Sequence, residues 1–435
     1  MVMTMVKRWL ERISGKELLI FSVYSLVLLL LAASLRARPP AIAQGMLTIV
    51  LSRDALITDY FALAGHGAAF LNAALVLGIA VFLVVSQNLP FTGITMSALF
   101  ISAGYALWGK NPLNILPILL GTFLYAKFHK ASFRRYVYTA LYGTCLAPLV
   151  TEMVYILPFP SAVNLPLALA IGVFTGFILP PMSMHTASMH MGYSLSNIGF
   201  AGGIFAFLMV CVLKFFGMES SSAFLWQEGR PVWIVGGLIF YFSSTFLFGL
   251  LVNQGKKGAI REIMRHPGRA VADFVLMDGT GAALMNMGLV GLTCVAYILL
   301  IQGDFSGPVI GAIFTVFGYG AFGAHLRNYL PVMAGVFLIS LVGSFAPSTP
   351  GIQLAAVFSA SLAPVAGQFG KLAGASAGML HAAVALCTAE LYGGLNLYNN
   401  GFSAGWVAII MIPCLESFMK HFEARKPRKK EGKSI

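Results

Sequence analysis

Apolar runs near twenty residues long recur along the whole chain. Residues 18–35, 61–85 and 232–252 are three of them, each about the length a helix needs to cross a bilayer core of roughly 30 Å. Seven apolar segments fall in the first half, beginning near Leu18, Phe61, Phe91, Pro112, Val137, Leu167 and Ser194. Seven more begin near Val232, Val275, Phe305, Leu326, Leu354, Ala373 and Tyr398. Some are short or broken by Gly and Pro, as at Gly109-Lys110-Asn111-Pro112, and predict half-helices or re-entrant segments. The expected fold class is an all-α membrane protein of about 12–14 transmembrane helices, some of them broken.

The polar positions between these runs repeat. Gly65, Gly67, Ala68, Ala69, Asn72, Leu75 and Val76 correspond to Gly279, Gly281, Ala282, Ala283, Asn286, Leu289 and Val290, at a constant separation of 214 residues (Asn72 to Asn286). The register holds through Phe91-Thr92-Gly93 against Phe305-Ser306-Gly307, and through Asn114 and Pro117 against Asn328 and Pro331. It shifts by two at Ala147-Pro148 against Ala363-Pro364. After a Pro-rich stretch at 157–166 it resumes at Asn197-Ile198-Gly199-Phe200 against Asn399-Asn400-Gly401-Phe402. Apolar residues agree by chance, but Asn, Gly and Pro at fixed spacing identify an internal duplication. The organisation expected is a cytoplasmic N-terminus (1–16), a first repeat (17–217), a linker (218–230), a second repeat (231–419) and a basic cytoplasmic tail (420–435).

Composition supports a bilayer environment: 58% of the 435 residues are hydrophobic and 10% are charged, against about a quarter charged in soluble proteins. The net charge of +13 is concentrated in short segments between apolar runs. Positive charge there sets membrane orientation and does not point to nucleic acid. The strongest basic segments are 127–135, 256–269 and the tail. If all three face the cytoplasm, each half makes an odd number of crossings and the halves are inverted. Both termini then lie inside a bacterial inner membrane, with Arg36, Arg38 and Arg53 outside. Lys7, Arg8, Arg12 and Lys16 before an apolar run could mimic a signal peptide, but the duplication includes that helix and cleavage is not expected. Five scattered cysteines without a CxxC pair indicate neither a disulfide framework nor zinc.

Inverted repeats frame solute sites near the bilayer midplane, where broken helices expose backbone groups. Candidate solute ligands are Asn72, Asn286, Asn114, Asn328, Tyr193, Asn197, Asn399 and Asn400. For the first two, hydrogen-bonded helix glue competes with solute binding, and for the Asn-Gly words a structural turn does. Ionisable residues inside apolar runs are costly: Glu152, Glu390, His381 and Asp278 are candidates for proton coupling, and His325 and Arg327 share the setting. His185, His190 and Tyr193, with Tyr392 in the second half, lie beside the Asn-Gly words, but the histidine spacing does not favour a metal. There is no phosphate loop, HExxH motif or nucleophile elbow, so neither a cofactor nor enzymatic activity is expected. The expected partners are a small solute and lipid; self-association is compatible with the sequence.

The words Gly-Ala-Ala-Phe-Leu-Asn-Ala (67–73) and Asn-Leu-Tyr-Asn-Asn-Gly-Phe (396–402) resemble a duplicated bacterial membrane family catalogued as a domain of unknown function. Phe70-Leu71-Asn72 and Asn111-Pro112-Leu113 are similar to words of urea transporters, which also use inverted halves, although the proline-rich filter words of that family are missing here. The seven-plus-seven count is similar to that of nucleobase and sulfate transporters. The first resemblance implies no particular activity and the others an architecture alone. The inverted duplication leads to the expectation of a secondary transporter of a small polar or anionic solute, with proton coupling as one form. A passive solute channel is the alternative, and a membrane-embedded enzyme (with His185, His190 and Lys214 at an interface) comes third.

Overall fold

The computed structural model describes residues 15–220, 224–253, 256–270 and 272–424. The basic N-terminal residues Lys7, Arg8 and Arg12 and the tail 425–435 lie outside them. The first half contains α1 (Gly15–Ser34), α2 (Pro39–Leu51), α3 (Tyr60–Ser86), α4 (Gly93–Tyr105), α5 (Leu116–Phe128), α6 (Val137–Gly143), α7 (Ala147–Ile156), α8 (Ser161–Met189) and α9 (Asn197–Phe215). The second contains α10 (Val232–Val252), α11 (Ala259–Ile263), α12 (Phe274–Met277), α13 (Thr280–Leu300), α14 (Gly307–Tyr319), α15 (Leu326–Val342), α16 (Pro350–Phe358), α17 (Ala363–Phe369), α18 (Lys371–Leu391) and α19 (Asn399–Ala424). Among the described residues, 9 helical stretches are long and apolar enough to cross a membrane, or 10 if α1 and α2, bent by 112°, form one broken span. The shorter apolar helices α4, α5, α14 and α15 complete the fourteen runs.

The Gly-x-Gly words now have a cause. Gly65 and Gly279 take positive φ (79° and 91°), a backbone state that costs L-residues but not glycine. In the first half this kinks α3; in the second it separates α12 from α13. The second glycine lets the preceding helix approach: a Cβ at Gly67 would lie 2.5 Å from Ala37 Cβ, and one at Gly281 would lie 2.7 Å from Asn253 N. The helix expected from near Leu167 starts earlier, at Ser161 within the Pro-rich stretch, and contains Pro166, Pro180 and Pro181. Each proline removes one backbone bond from that helix.

The two halves are related by a two-fold axis, visible as reciprocal contacts. Leu195 N donates to Ser361 O, and the corresponding Leu397 N donates to Cys145 O, both at 2.9 Å. Gly199 and Gly401 face each other on the axis, where each Cβ would meet the other's Cα at 3.1–3.2 Å. The most informative pair is α4 with α14. Gly104 touches Gly311 and Ser97 touches Gly318, so the corresponding helices run antiparallel across the axis. Equivalent helices pointing in opposite directions make the repeats inverted, and put the axis in the plane of the membrane.

That axis also fixes the depth of α4 and α14. Each has 13 residues and is therefore about 20 Å long, less than the bilayer core. They cross at their centres, with Phe100 against Phe314, which places the pair at the middle of the molecule. Each N-terminus is capped from the opposite repeat. Gly93 N donates to the Asp273 carboxylate at 2.8–2.9 Å, and Gly307 N donates to Asp59 Oδ1 at 3.1 Å. The same carboxylates cap their own helices, through Phe61 N for Asp59 and through Val275 N and Leu276 N for Asp273. Glycine is required at 93 and 307, because a Cβ would sit 2.2 Å from Ala321 O in one case and 2.5 Å from Asp59 Oδ1 in the other.

The basic segments 127–135 and 256–269 fall on one side of the molecule. Tyr138, just after the first, bonds Thr95 in the opening turn of α4, and Asp273, just after the second, caps Gly93. The linker runs over the opposite side, where Leu225 bridges Thr58 and Gln227 N donates to Asp59.

Candidate functional site

The matched asparagines tie helices together. Asn72 Nδ2 donates to Ala106 O and Lys110 O, both at 2.7 Å, and Asn286 Nδ2 donates to Gly320 O and Ala324 O at 2.7 and 2.8 Å. Each amide clamps the open C-terminal end of the short helix, where carbonyls lack helical partners. Asn114 and Asn328 close the following break: their side-chain oxygens accept from Asn111 N and His325 N, and their amides donate to Gly109 O and Gly323 O. Asn197 and Asn399 repeat a third motif, accepting from Thr186 and Thr388 and donating to Ser183 O and Ala385 O. His190 in one half and Tyr392 in the other complete it.

One cavity of about 200 Å³ is shared by both repeats at the axis. Tyr138 and Tyr142 of α6, Ser194 to Gly199 at the start of α9, and Tyr319 and Tyr398 from the second repeat line it. Its hydroxyls are mutually organised. Tyr142 donates to Ser97 at 2.8 Å, and Ser196 bonds Tyr319 at 2.6 Å and Ser361 at 2.8 Å. Behind Tyr398 sits Lys110, fully buried. Its Nζ donates to the Tyr398 hydroxyl at 2.8 Å and lies 5.3 and 4.8 Å from the ring centroids of Tyr105 and Tyr398. Among the described residues no carboxylate is paired with it. Burying a lysine against a hydroxyl and two aromatic rings is costly, which makes Lys110 a candidate functional residue.

Among the described residues, the symmetry-related position is filled by larger side chains. The position of Ser196 is taken by Tyr398 in the other half, that of Phe322 by Trp108, and that of Ala324 by Lys110. The larger side chains stack where a second cavity would lie, with Tyr105 4.9 Å from Trp108 and 4.4 Å from Tyr398.

The ionisable candidates are dispersed. Glu152 is buried and engaged by Arg53, whose Nε is 3.1 Å from both carboxylate oxygens. This explains Arg53 on the side opposite the basic segments: it is an ion-pair partner and not an orientation signal. Asp278 bonds His266 at 3.1 Å. His381 is buried in α18, with the Asn400 side chain as its polar neighbour. Glu390, His185, Lys214 and Arg327 are exposed. Tyr193 packs under the Arg269 guanidinium, 4.6 Å from its ring centroid. Asn400 is buried and faces His381. Of the eight asparagine and tyrosine candidates, only Asn197 borders the cavity.

A known sequence signature fits this architecture: the family described as "Protein of unknown function (DUF1576)" matches residues 38–215 and 253–417. The chain belongs to the DUF1576 family. Each matched stretch begins just after the first long helix of its half, α1 or α10, and the two correspond to the inverted repeats. The DUF1576 chain has no match among curated proteins or solved structures. Lys110 and Tyr398, like Asp54 described below, stand out in the structure and not in the sequence comparison of the two halves. None was evident from the duplication, because each departs from its counterpart: Ala324, Ser196 and Gly268.

Proposed function

We propose that this membrane protein is a secondary transporter of a small anionic or polar solute, bound in the hydroxyl-lined cavity between the inverted repeats. The observation that carries this reading is Lys110, a buried lysine without a carboxylate partner among the described residues, one hydroxyl away from a cavity built by both halves. The first turn of α9 also lines the cavity, and a helix N-terminus favours negative charge. The volume is below the roughly 300–1,000 Å³ of drug-sized pockets, which restricts the solute to a few heavy atoms. By the positive-inside rule, the side bearing 127–135 and 256–269 faces the cytoplasm.

A thermal-shift screen of the purified protein against small carboxylates, oxyanions and neutral polar solutes tests the proposal. A binder stabilises the folded state by mass action. At least one anion should raise the unfolding temperature of the wild type and lose that effect in Lys110→Met. Stabilisation of equal size in Lys110→Met would remove the cavity from the argument. Uptake of the stabilising solute into proteoliposomes against its gradient then separates coupled transport from passive conduction.

A further inference from the structure

The side of the α4–α5 break away from Lys110 holds a second departure from symmetry. Asp54 is fully buried. Its Oδ2 accepts from Asn114 Nδ2 at 2.8 Å, from the Tyr60 hydroxyl at 3.2 Å and from the Thr151 hydroxyl at 3.3 Å. Its Oδ1 has no partner. The second repeat keeps only the asparagine. Asp54, Tyr60 and Thr151 correspond to Gly268, Phe274 and Gly367, and backbone closes the space: a Cβ at Gly367 would be 2.0 Å from Pro267 O, and one at Gly268 would be 2.0 Å from Gly323 O. The polar pocket is thus a feature of one repeat, built around a carboxyl group.

We propose that Asp54 is the proton-binding carboxyl that couples solute movement to the proton gradient, an assignment that rests on the transport reading above. The charges around it favour a proton. Arg53 and Glu152 balance each other, Tyr60 and Tyr155 are the neighbouring phenols, and Lys110 is turned away onto Tyr398. The local sum is therefore one negative charge with one bare oxygen, in a site closed to water. A metal ion would need about six oxygen ligands. Asn114 presents its amide nitrogen here, because its oxygen is occupied by Asn111 N, which leaves too few. The step balances simply: a proton from the aqueous phase forms the O–H bond on Oδ1, and the same proton returns to water when the site opens. The Gly109–Asn114 segment joins the two sites, since Lys110 bonds Tyr398 in the cavity wall and Asn114 holds Asp54.

Infrared titration of the reconstituted full-length protein tests this without a known solute. The wild type should show the carbonyl band of a protonated carboxyl group, absent from Asp54→Asn and retained in Asp278→Asn. Should Asp54→Asn fail to fold, Tyr60→Phe serves instead: loss of one donor to Oδ2 should move the band to higher wavenumber. A band unchanged in Asp54→Asn, or unmoved in Tyr60→Phe, overturns the assignment, as does a band abolished by sodium ions at constant pH. Because the band is read with no solute present, its loss or persistence is independent of the solute screen. A screen without binders but with the Asp54 band intact would remove the transport reading and leave the proton site standing.

Discussion

Removing the two carboxylates that cap α4 and α14 is the most direct test of the inverted architecture. Asp273→Ala strips the acceptor from Gly93 N, Val275 N and Leu276 N, and Asp59→Ala strips it from Gly307 N, Phe61 N and Gln227 N. A buried donor left without a partner costs about 1–3 kcal/mol, and a lost helix cap about 1 kcal/mol. With some donors recovered by local relaxation, each substitution should destabilise by about 3 kcal/mol. The two carboxylates lie at opposite ends of a helix pair about 20 Å long, beyond the range at which substitutions usually couple. The double variant should therefore lose about 6 kcal/mol, within roughly half a kcal/mol of additivity. Denaturant unfolding of the purified protein in detergent micelles measures all three. A loss below about 1 kcal/mol for either single variant, or a double variant no worse than one of its parents, would refute reciprocal capping.

Four further outcomes follow from the contacts described. Asn72→Leu and Asn286→Leu each break two bonds to carbonyls at the end of a short helix and should each cost about 1–3 kcal/mol in the same unfolding assay; equal losses are expected, since the two geometries coincide. Gly104→Leu, whose Cβ alone would stand 2.5 Å from Gly311 O, should prevent α4 and α14 from packing and abolish monodisperse protein on size exclusion, whereas Gly78→Leu, where a Cβ meets nothing within 4 Å, should not. Tyr398→Ser, which installs the other half's residue, should remove solute-dependent stabilisation by releasing Lys110 from its hydroxyl; unaltered stabilisation would count against the cavity. Cysteines placed at 130 and 257 should react with an impermeant thiol reagent from the same face of the membrane, and labelling from opposite faces would contradict the pairing of those segments around Gly93.

Much of this fold is legible in the sequence, because helix ends inside a bilayer need polar atoms and polar atoms stand out against apolar runs. Asn72 and Asn286, Asn114 and Asn328, and Gly93 and Gly307 recur because both repeats need the same clamps, breaks and close approaches. For the same reason those matched residues mostly form scaffold contacts in the structure. The groups proposed to carry function are the mismatches, such as Lys110 against Ala324, Tyr398 against Ser196 and Asp54 against Gly268, and comparing the repeats for likeness passes over them. The distance from Asp54 to Asn114 along the chain hides their contact in any case, since 60 residues separate them. Arg53 is a related example: charge counting places it in a loop, and only the packing of α7 against the segment between α2 and α3 reveals Glu152 beneath it.

The exchange of carboxylates between repeats makes neither half self-sufficient. A lone copy of this unit would leave the first amide of its short helix unanswered, while its own acid kept only the amides of the helix it begins. Each repeat is completed by its inverted neighbour, so a chain cut between the two should hold together only as a pair of halves.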